Sequence, residues 1–206
     1  MRPFTTLEAD ACPLPLSGID TDQLIPARFM NRTRAEGYGG CLLHDLRFDA
    51  DGQPRPDFPL NLPRYQGAQI LVARRNFGSG SSREAAVYAL SDFGFRCIVA
   101  PSFGDIFAAN AVNNGVLPAR VTEEACEVLL ARLVSGSGHM HVNLEDSELR
   151  LDELRINFML DPVWRAKLLN GWDDLDLTLS YGPAIAEFQE RDRTGRPWAL
   201  PQVSSR

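Results

Sequence analysis

The chain has 206 residues, a formal net charge of -6 and an apolar fraction of 44%. This composition is ordinary for a globular domain, and the acidic balance argues against a general nucleic-acid binder. No stretch of about 18 apolar residues predicts a membrane-spanning helix, and the N-terminal MRPFTTLEAD lacks the apolar run of a secretory signal. We therefore expect a cytoplasmic protein with no membrane or nucleic-acid partner.

The four cysteines, Cys12, Cys41, Cys97 and Cys126, are far apart in the sequence, and no pair has the C-x-x-C spacing of a metal or redox site. Scattered thiols of this kind are typical of reduced cysteines in a cytosolic protein. An iron–sulfur cluster needs three or four grouped thiolates. We therefore expect this chain to bind no cluster and no other metal by itself.

The first third of the chain predicts short elements joined by loops. Residues 14–30 predict a short strand, a polar turn at 20–22, and a brief helix or turn after Pro26. Residues 49–64 contain several prolines, which remove backbone donors and block helix interiors, so they predict a long irregular loop. A loop of this length in a compact domain is usually a binding loop or disordered.

The middle of the chain predicts a parallel crossover unit. Residues 68–75 have the apolar pattern of a buried strand, and residues 96–101 have it again. Between them, a helix is predicted from about Ser82 to Phe93, with Gly94 as its C-terminal stop. A strand, loop, helix and strand within about 30 residues is typical of two parallel strands. The fold class is therefore α/β.

The rest of the chain predicts further short helices and strands. These are a helix at 105–114, a strand at 116–121, a helix at 123–135, a hairpin at 139–151 and helices at 161–171 and 183–191. We expect a single domain over residues 1–190. The charged, proline-bearing tail at 191–206 is expected to be loose.

The stretch NFGSGSSREAAVYAL, residues 76–90, joins the first buried strand to its helix and has three interpretations. Ser81 and Glu84 fit a capping box, with Gly78 and Gly80 forming a tight turn. A phosphate-binding loop is less well supported, because no lysine follows the glycines and no acidic residue ends the next strand.

The third interpretation is a site for a carboxylate substrate. The N-terminus of a helix offers unpaired N–H groups and the positive end of its dipole. An arginine beside it, Arg83, adds a planar fork that matches a carboxylate. A serine there can act as a base if its oxygen is stabilised, which requires a strong electrostatic helper such as a metal on the substrate.

Several segments resemble the small subunits of 3-isopropylmalate dehydratase, the leucine-pathway isomerase of the aconitase superfamily. The resemblance runs from about Leu14 to Gln189. It is carried by GIDTDQLIPARFM, PDFPLNLPRYQGAQILVARRNFG, GSGSSREAAVYALSDFGFRCIVAPSFGDIFAANAVNNGVLP and NGWDDLDLTLSYGPAIAEFQ. It implies the swivelling β/β/α domain of aconitase made as a separate chain. The reaction it implies is dehydration of 2-isopropylmalate to a bound alkene and rehydration at the neighbouring carbon.

The resemblance also implies a site. By position, Ser81 is the base that removes the carbon-bound proton, and Ser82 and Arg83 bind substrate carboxylate. Asp22 organises the site. A further arginine of aconitase that grips carboxylate aligns loosely here; its candidates are Arg28, Arg32 and Arg34, of which we take Arg28 and Arg34 as substrate-binding.

The same resemblance implies a partner. In the family, a large subunit carries the four-iron, four-sulfur cluster and its cysteines, and the two subunits form a heterodimer or heterotetramer. We therefore expect activity only in the complex with that subunit.

Two residues depart from the family pattern Gly-Cys-Gly-Ser-Ser-Arg-Glu-His-Ala: Ser79 replaces the cysteine and Ala85 replaces the histidine. The Ser-Ser-Arg-Glu run itself is intact. The departures leave open a paralogue that acts on another small hydroxy diacid such as methylmalate, or a non-catalytic anion-binding module.

Overall fold

The computed structural model describes residues 1–136 and 138–199. The chain divides into two compact units, Met1–Gly171 and Trp172–Arg206. Among the described residues, no helix is both long and apolar enough to cross a membrane.

The first unit is built on one sheet whose strands follow the order β4-β3-β2-β1-β5-β6-β7. The strands are β1 (Thr6–Leu14), β2 (Ile70–Ala73), β3 (Cys97–Ala100), β4 (Leu117–Arg120), β5 (His139–Asn143), β6 (Glu148–Leu151) and β7 (Leu154–Asn157). Strands β1 to β4 are mutually parallel, whereas β5, β6 and β7 extend the sheet by antiparallel pairing from β1.

Strand β1 joins the parallel and antiparallel parts of the sheet. Its first half, Thr6–Asp10, pairs with β5, and its second half, Ala11–Leu14, pairs with β2. The chain therefore leaves the carboxyl end of β1 on the same edge as the ends of β2 and β3.

In the described part of this first unit there are six α-helices. They are α1 (Thr21–Leu24), α2 (His44–Arg47), α3 (Glu84–Phe93), α4 (Asp105–Asn113), α5 (Glu123–Ser135) and α6 (Pro162–Asn170). Short 3-10 turns occur between α1 and β2, including Pro59–Asn61 and Pro63–Tyr65 in the predicted proline-rich loop.

Both faces of the parallel strands are buried, as their continuous apolar runs require. In β2, Leu71 and Ala73 join a core that includes α3, while Ile70 and Val72 join a second core that includes α5 and the antiparallel strands. All four side chains are fully buried. The site loops are thus anchored to strands that are held from both sides.

The predicted parallel unit is confirmed: β2, α3, β3, α4, β4 and α5 all lie where the sequence places them. Helix α3 begins at Glu84, two residues after its predicted start, and ends at Phe93, with Gly94 (φ 119°) as its C-cap. The hairpin of β5 and β6 is confirmed, whereas most of β1, all of β7 and a helix near the C-terminus were not predicted.

The second unit contains α7 (Asp174–Ser180) and α8 (Gly182–Gly195). Asp173 caps α7 by accepting from the N–H groups of Leu175 and Asp176, at 2.8 Å and 2.9 Å. Helix α8 continues across residue 190, where we placed the end of the domain. The single domain at 1–190 and the loose tail at 191–206 stay predictions, and residues 200–206 lie outside the described part of the chain.

Candidate active site

Three loops meet at the carboxyl edge of the parallel strands, where open α/β sheets usually bind their ligands. The loop after β2 bonds to the loop after β1, because Gly78 N donates to Ile19 O at 2.7 Å. It also bonds to the loop after β3, because Gly104 N donates to Phe77 O at 2.9 Å. The segment around Ser81 is therefore fixed on both sides by backbone bonds.

The glycines of this loop are required by its geometry. Gly78 has a φ of 69°, and a Cβ there would lie 2.1 Å from Cγ of Phe107 on α4. Gly80 has a φ of 98°, another conformation that L side chains rarely adopt. The predicted tight turn between strand and helix is confirmed, and its close contact with α4 is an additional constraint.

The capping box predicted for Ser81 and Glu84 is wrong. Arg83, not Ser81, stands at the N-cap of α3, and no side chain caps this helix end. The Glu84 carboxylate instead accepts from the Asn114 side chain at 3.0 Å. Because Arg83 N donates to Ser81 O at 2.8 Å, the backbone turns before the helix starts and leaves the exposed Ser81 outside it.

Arg83 lies next to Ser81 and pairs with Asp22, which is 61 residues away in the sequence. The Arg83 side chain is only 20% exposed, whereas that of Asp22 is 58% exposed. The structure thus brings together three residues that the sequence predicted for one site. Ser82, also exposed, lies between the serine and the arginine of this group.

A cleft of about 190 Å³ opens beside Ser81. Its walls are the glycine turn and the start of α4: Gly78, Gly80, Ser81, Gly104, Asp105, Ile106 and Phe107. The cleft is partly open to solvent.

The chain is similar to known proteins over nearly its whole length. The model of the family "Aconitase C-terminal domain" matches residues 1–124. A 3-isopropylmalate dehydratase small subunit of Rhodospirillum centenum is 45% identical over 97% of this chain and 100% of its own length. One of Shouchella clausii is 44% identical, over 93% of this chain and 97% of its own.

The chain belongs to the 3-isopropylmalate dehydratase small-subunit family. Its fold is also similar to the crystal structure of 3-isopropylmalate dehydratase from Methanocaldococcus jannaschii, with a TM-score of 0.62. That match covers 88% of this chain and 98% of the other, at 21% identity. The α/β fold class and the aconitase-type resemblance are thereby confirmed.

Two of the arginines expected to bind substrate in this small subunit are paired internally. Arg28 donates through Nη1 to Oδ2 of Asp45 at 2.9 Å and makes a second contact with the other carboxylate oxygen. This bonding lowers the pKa of Asp45 to about 2. Arg34 pairs with Asp92 on α3 and lies 4.5 Å from the centroid of the Tyr88 ring.

Arg32, the third arginine of this segment, is bound differently. Its guanidinium carbon lies 5.6 Å from the centroid of the Phe29 ring, and among the described residues it has no ion-pair partner. The side chain is exposed. Among these three arginines, only Arg32 could bind a substrate carboxylate without first breaking an ion pair within the described part of the chain.

The two departures from the family pattern have distinct structural roles. Ser79 is half-buried, and its carbonyl accepts from Thr21 N at 2.9 Å, so its main chain holds the loops together. Ala85 is half-buried in the first turn of α3 and packs against the core on that side of the sheet.

The cysteines of this small subunit do not fit an iron–sulfur cluster. All four are free and buried, Cys12 and Cys41 in one core and Cys97 and Cys126 in the other. Burial raises the pKa of Cys12 to about 12 and that of Cys126 to about 11, which disfavours the thiolate that a cluster requires. In the described residues, no three His, Cys, Asp or Glu side chains are grouped to hold a metal ion.

One residue at the site was missed from the sequence. Thr21, treated only as part of a polar turn, is 2% exposed, and its Oγ1 lies 2.9 Å from Ser81 O and 3.4 Å from Ser81 Oγ. Its partner is 60 residues away, so nothing local signals the contact. The contact could have been suggested only by knowing that the segments containing Thr21 and Ser81 contribute to one site in the family.

Proposed function

We propose that this chain is the small subunit of a hydro-lyase that interconverts 2-isopropylmalate and 3-isopropylmalate in leucine biosynthesis. The observation that carries the proposal is the placement of Ser81. Ser81 caps no helix, is exposed at the carboxyl edge of the sheet, and lies next to Arg83, whose side chain is 20% exposed and paired with Asp22.

The chemistry assigns a role to each residue. Ser81 Oγ, as an alkoxide, takes the proton from one carbon of the diacid while the neighbouring carbon releases its hydroxyl as hydroxide, which leaves an alkene. The cluster of the large subunit would supply the Lewis acid that assists the departing hydroxide. The reverse steps return the hydroxyl and the proton to exchanged carbons. Arg83 holds a carboxylate through its planar fork, and Ser82 donates to the same group. Asp22 orients the Arg83 guanidinium.

We propose that activity requires a large subunit. The relatives named above are small subunits by name, and the four buried cysteines of this chain cannot assemble a cluster. The four-iron, four-sulfur cluster of the family would therefore belong to the partner. The open cleft beside Ser81 supports completion of the site by a second chain.

Arg28 and Arg34 stay proposed substrate-binding residues, but each must exchange an internal carboxylate for that of the substrate. Arg32 needs no such exchange. Alanine substitution of each arginine separates the cases: the one that grips the diacid raises KM, whereas loss of a purely internal pair lowers stability and leaves KM unchanged.

A related substrate is the second candidate, because Ser79 and Ala85 depart from the family pattern next to the site. A panel of hydroxy diacids offered to the reconstituted pair distinguishes the two. A preference for 3-isopropylmalate over methylmalate supports the first assignment.

The decisive experiment is co-expression with a dehydratase large subunit, followed by anaerobic assay of the purified complex. We expect Ser81→Ala to lower kcat by about 10² or more, the scale for losing a positioned base, with a smaller change in KM. Ser135→Ala is the matched control, because it removes an exposed serine hydroxyl at the end of α5. A Ser81→Ala complex with normal turnover would contradict the proposal.

A further inference from the structure

A groove of about 430 Å³, here called the β4 groove, lies at the carboxyl end of strand β4. Its walls come from the loop before α4, the end of β4 and the start of α6. Strand β4 is at the edge of the sheet, and its last residue is bonded on the outer side. Arg120 N donates to Met159 O at 3.2 Å, and Met159 N donates to Arg120 O at 2.7 Å. The groove therefore lies at the same edge of the sheet as Ser81.

Large apolar side chains are exposed in and beside this groove. Met159 is 51% exposed in its wall, and Val163, between two wall residues, is 45% exposed. The half-buried Phe103 and Trp164 line it further. Single exposed apolar residues are normal on a protein surface, but a contiguous group of them indicates an interaction surface.

The residue types of the groove favour a protein as its occupant. Aromatic residues, methionine and arginine are the types that protein interfaces prefer. Arg120 and Asp105 add one exposed charge of each sign to the wall, and among the described residues neither side chain has an ion-pair partner. A protein surface that carries both charges can pair with the two residues while its apolar side chains cover Met159.

The position of the groove indicates which protein covers it. Asp105 lines both the groove and the cleft beside the catalytic turn (residues 78–83), and the next residue, Ile106, lines the cleft and is 55% exposed. A chain that completes the cleft must cross this shared wall and so reaches the groove as well. A second copy of this chain is a poorer occupant, because each copy has a net charge of -6.

We propose that the β4 groove is a docking surface for the large subunit of the dehydratase. An apolar side chain of that subunit enters the groove between Met159 and Trp164, and its charged groups pair with Arg120 and Asp105. This inference rests on the proposed requirement for a large subunit, and it adds the surface on which that subunit binds.

Met159→Asp is the direct test, because it places a charge on the apolar wall at an exposed position. Each variant chain is titrated into the large subunit that gives an active complex with the wild-type chain. We expect the concentration for half-maximal activity to rise about ten-fold or more, the scale for losing an interface anchor. At saturating concentration, kcat and KM should equal those of the wild type, because Met159 does not line the Ser81 cleft.

Val134→Asp is the matched control, because Val134 is 54% exposed and lies near the end of α5. The start of that helix, at Glu123, pairs with Arg75 just after β2, so its other end points away from the carboxyl edge of the sheet. This variant should bind the large subunit as the wild type does. If Met159→Asp has a lowered Tm, Arg120→Glu replaces it, since it reverses an exposed charge of the same groove.

Hydrogen exchange provides a measurement that does not depend on activity. The Ser81→Ala chain is compared alone and in complex with the large subunit. We expect the amides at residues 103–106 and 159–164 to exchange more slowly in the complex, whereas those at residues 131–135, around the control position, should be unchanged.

The outcomes separate this inference from the proposed function. Wild-type affinity in Met159→Asp and Arg120→Glu, or unchanged exchange at the groove, overturns the docking surface and leaves the role of Ser81 intact. Full turnover in Ser81→Ala with weakened assembly in Met159→Asp overturns the role of Ser81 and supports the docking surface. If the isolated chain sediments as a dimer that Met159→Asp disperses, the groove belongs to a second copy and the proposal is wrong.

Discussion

Gly78→Ala tests how tightly the catalytic turn is packed. Gly78 has a φ of 69°, and the added Cβ would lie 2.1 Å from Cγ of Phe107. The left-handed backbone alone destabilises an alanine by about 1–2 kcal/mol. Overpacking against the ring adds about 1–3 kcal/mol. The free energy of unfolding should therefore fall by about 2–5 kcal/mol.

Gly52→Ala is the matched control, because Gly52 has a φ of 76° and no atom within 4 Å of the added Cβ. In Gly52→Ala the free energy of unfolding should fall only by the cost of the left-handed backbone, about 1–2 kcal/mol. The two variants should differ by about 1–3 kcal/mol in urea unfolding, or about 2–4 °C in Tm for each kcal/mol.

Removing the ring tests the cause. In a Phe107→Ala background, Gly78→Ala should lower the free energy of unfolding by no more than Gly52→Ala does, because the ring that clashes with the added Cβ is absent. Equal losses for the two glycine variants in the wild-type background would refute the packing argument. Where Gly78→Ala still folds, the displaced turn should also lower turnover of the complex.

Two further predictions follow from charge and burial. Arg28 lowers the pKa of Asp45 to about 2, so the pair stabilises the folded chain above the unfolded pKa of about 4 and loses this effect as the pH falls towards about 2. The Tm difference between the wild type and Asp45→Asn should shrink across that window; a constant difference would contradict it. Burial raises the pKa of Cys12 to about 12 and of Cys126 to about 11, so at pH about 8 iodoacetamide should label neither thiol before unfolding and both after it. Mass spectrometry of native and urea-treated chain checks this, and rapid labelling of the native chain would be the opposing result.

The parallel unit could be predicted because its signals are local. Each strand is a short apolar run bounded by glycine or proline, and the helix between β2 and β3 ends at Gly94. Most of β1 was missed because its first half carries exposed polar residues and is held by β5, far away in the sequence. Helix α7 was missed because its leucines recur at every second position, which is typical of a strand.

The candidate site was predictable as a set of residues but not as a set of bonds. The family motifs indicated Ser81, Arg83 and Asp22, yet the capping box expected from Ser81 does not form, because the backbone turns at Arg83 first. The internal partners of Arg28 and Arg34 come from α2 and α3, which no local pattern connects with them. Such pairings depend on how the elements pack.

The divided pairing of β1 has a consequence for synthesis on the ribosome. Its second half can pair as soon as β2 emerges, but its first half must wait for β5. Roughly 65 residues separate Ala73 from His139, which takes about 3–13 s at 5–20 residues per second. During that interval the N-terminal strand exposes an unpaired edge, a template for wrong strand pairing. We therefore expect the nascent chain to depend on chaperones most strongly just before β5 is made.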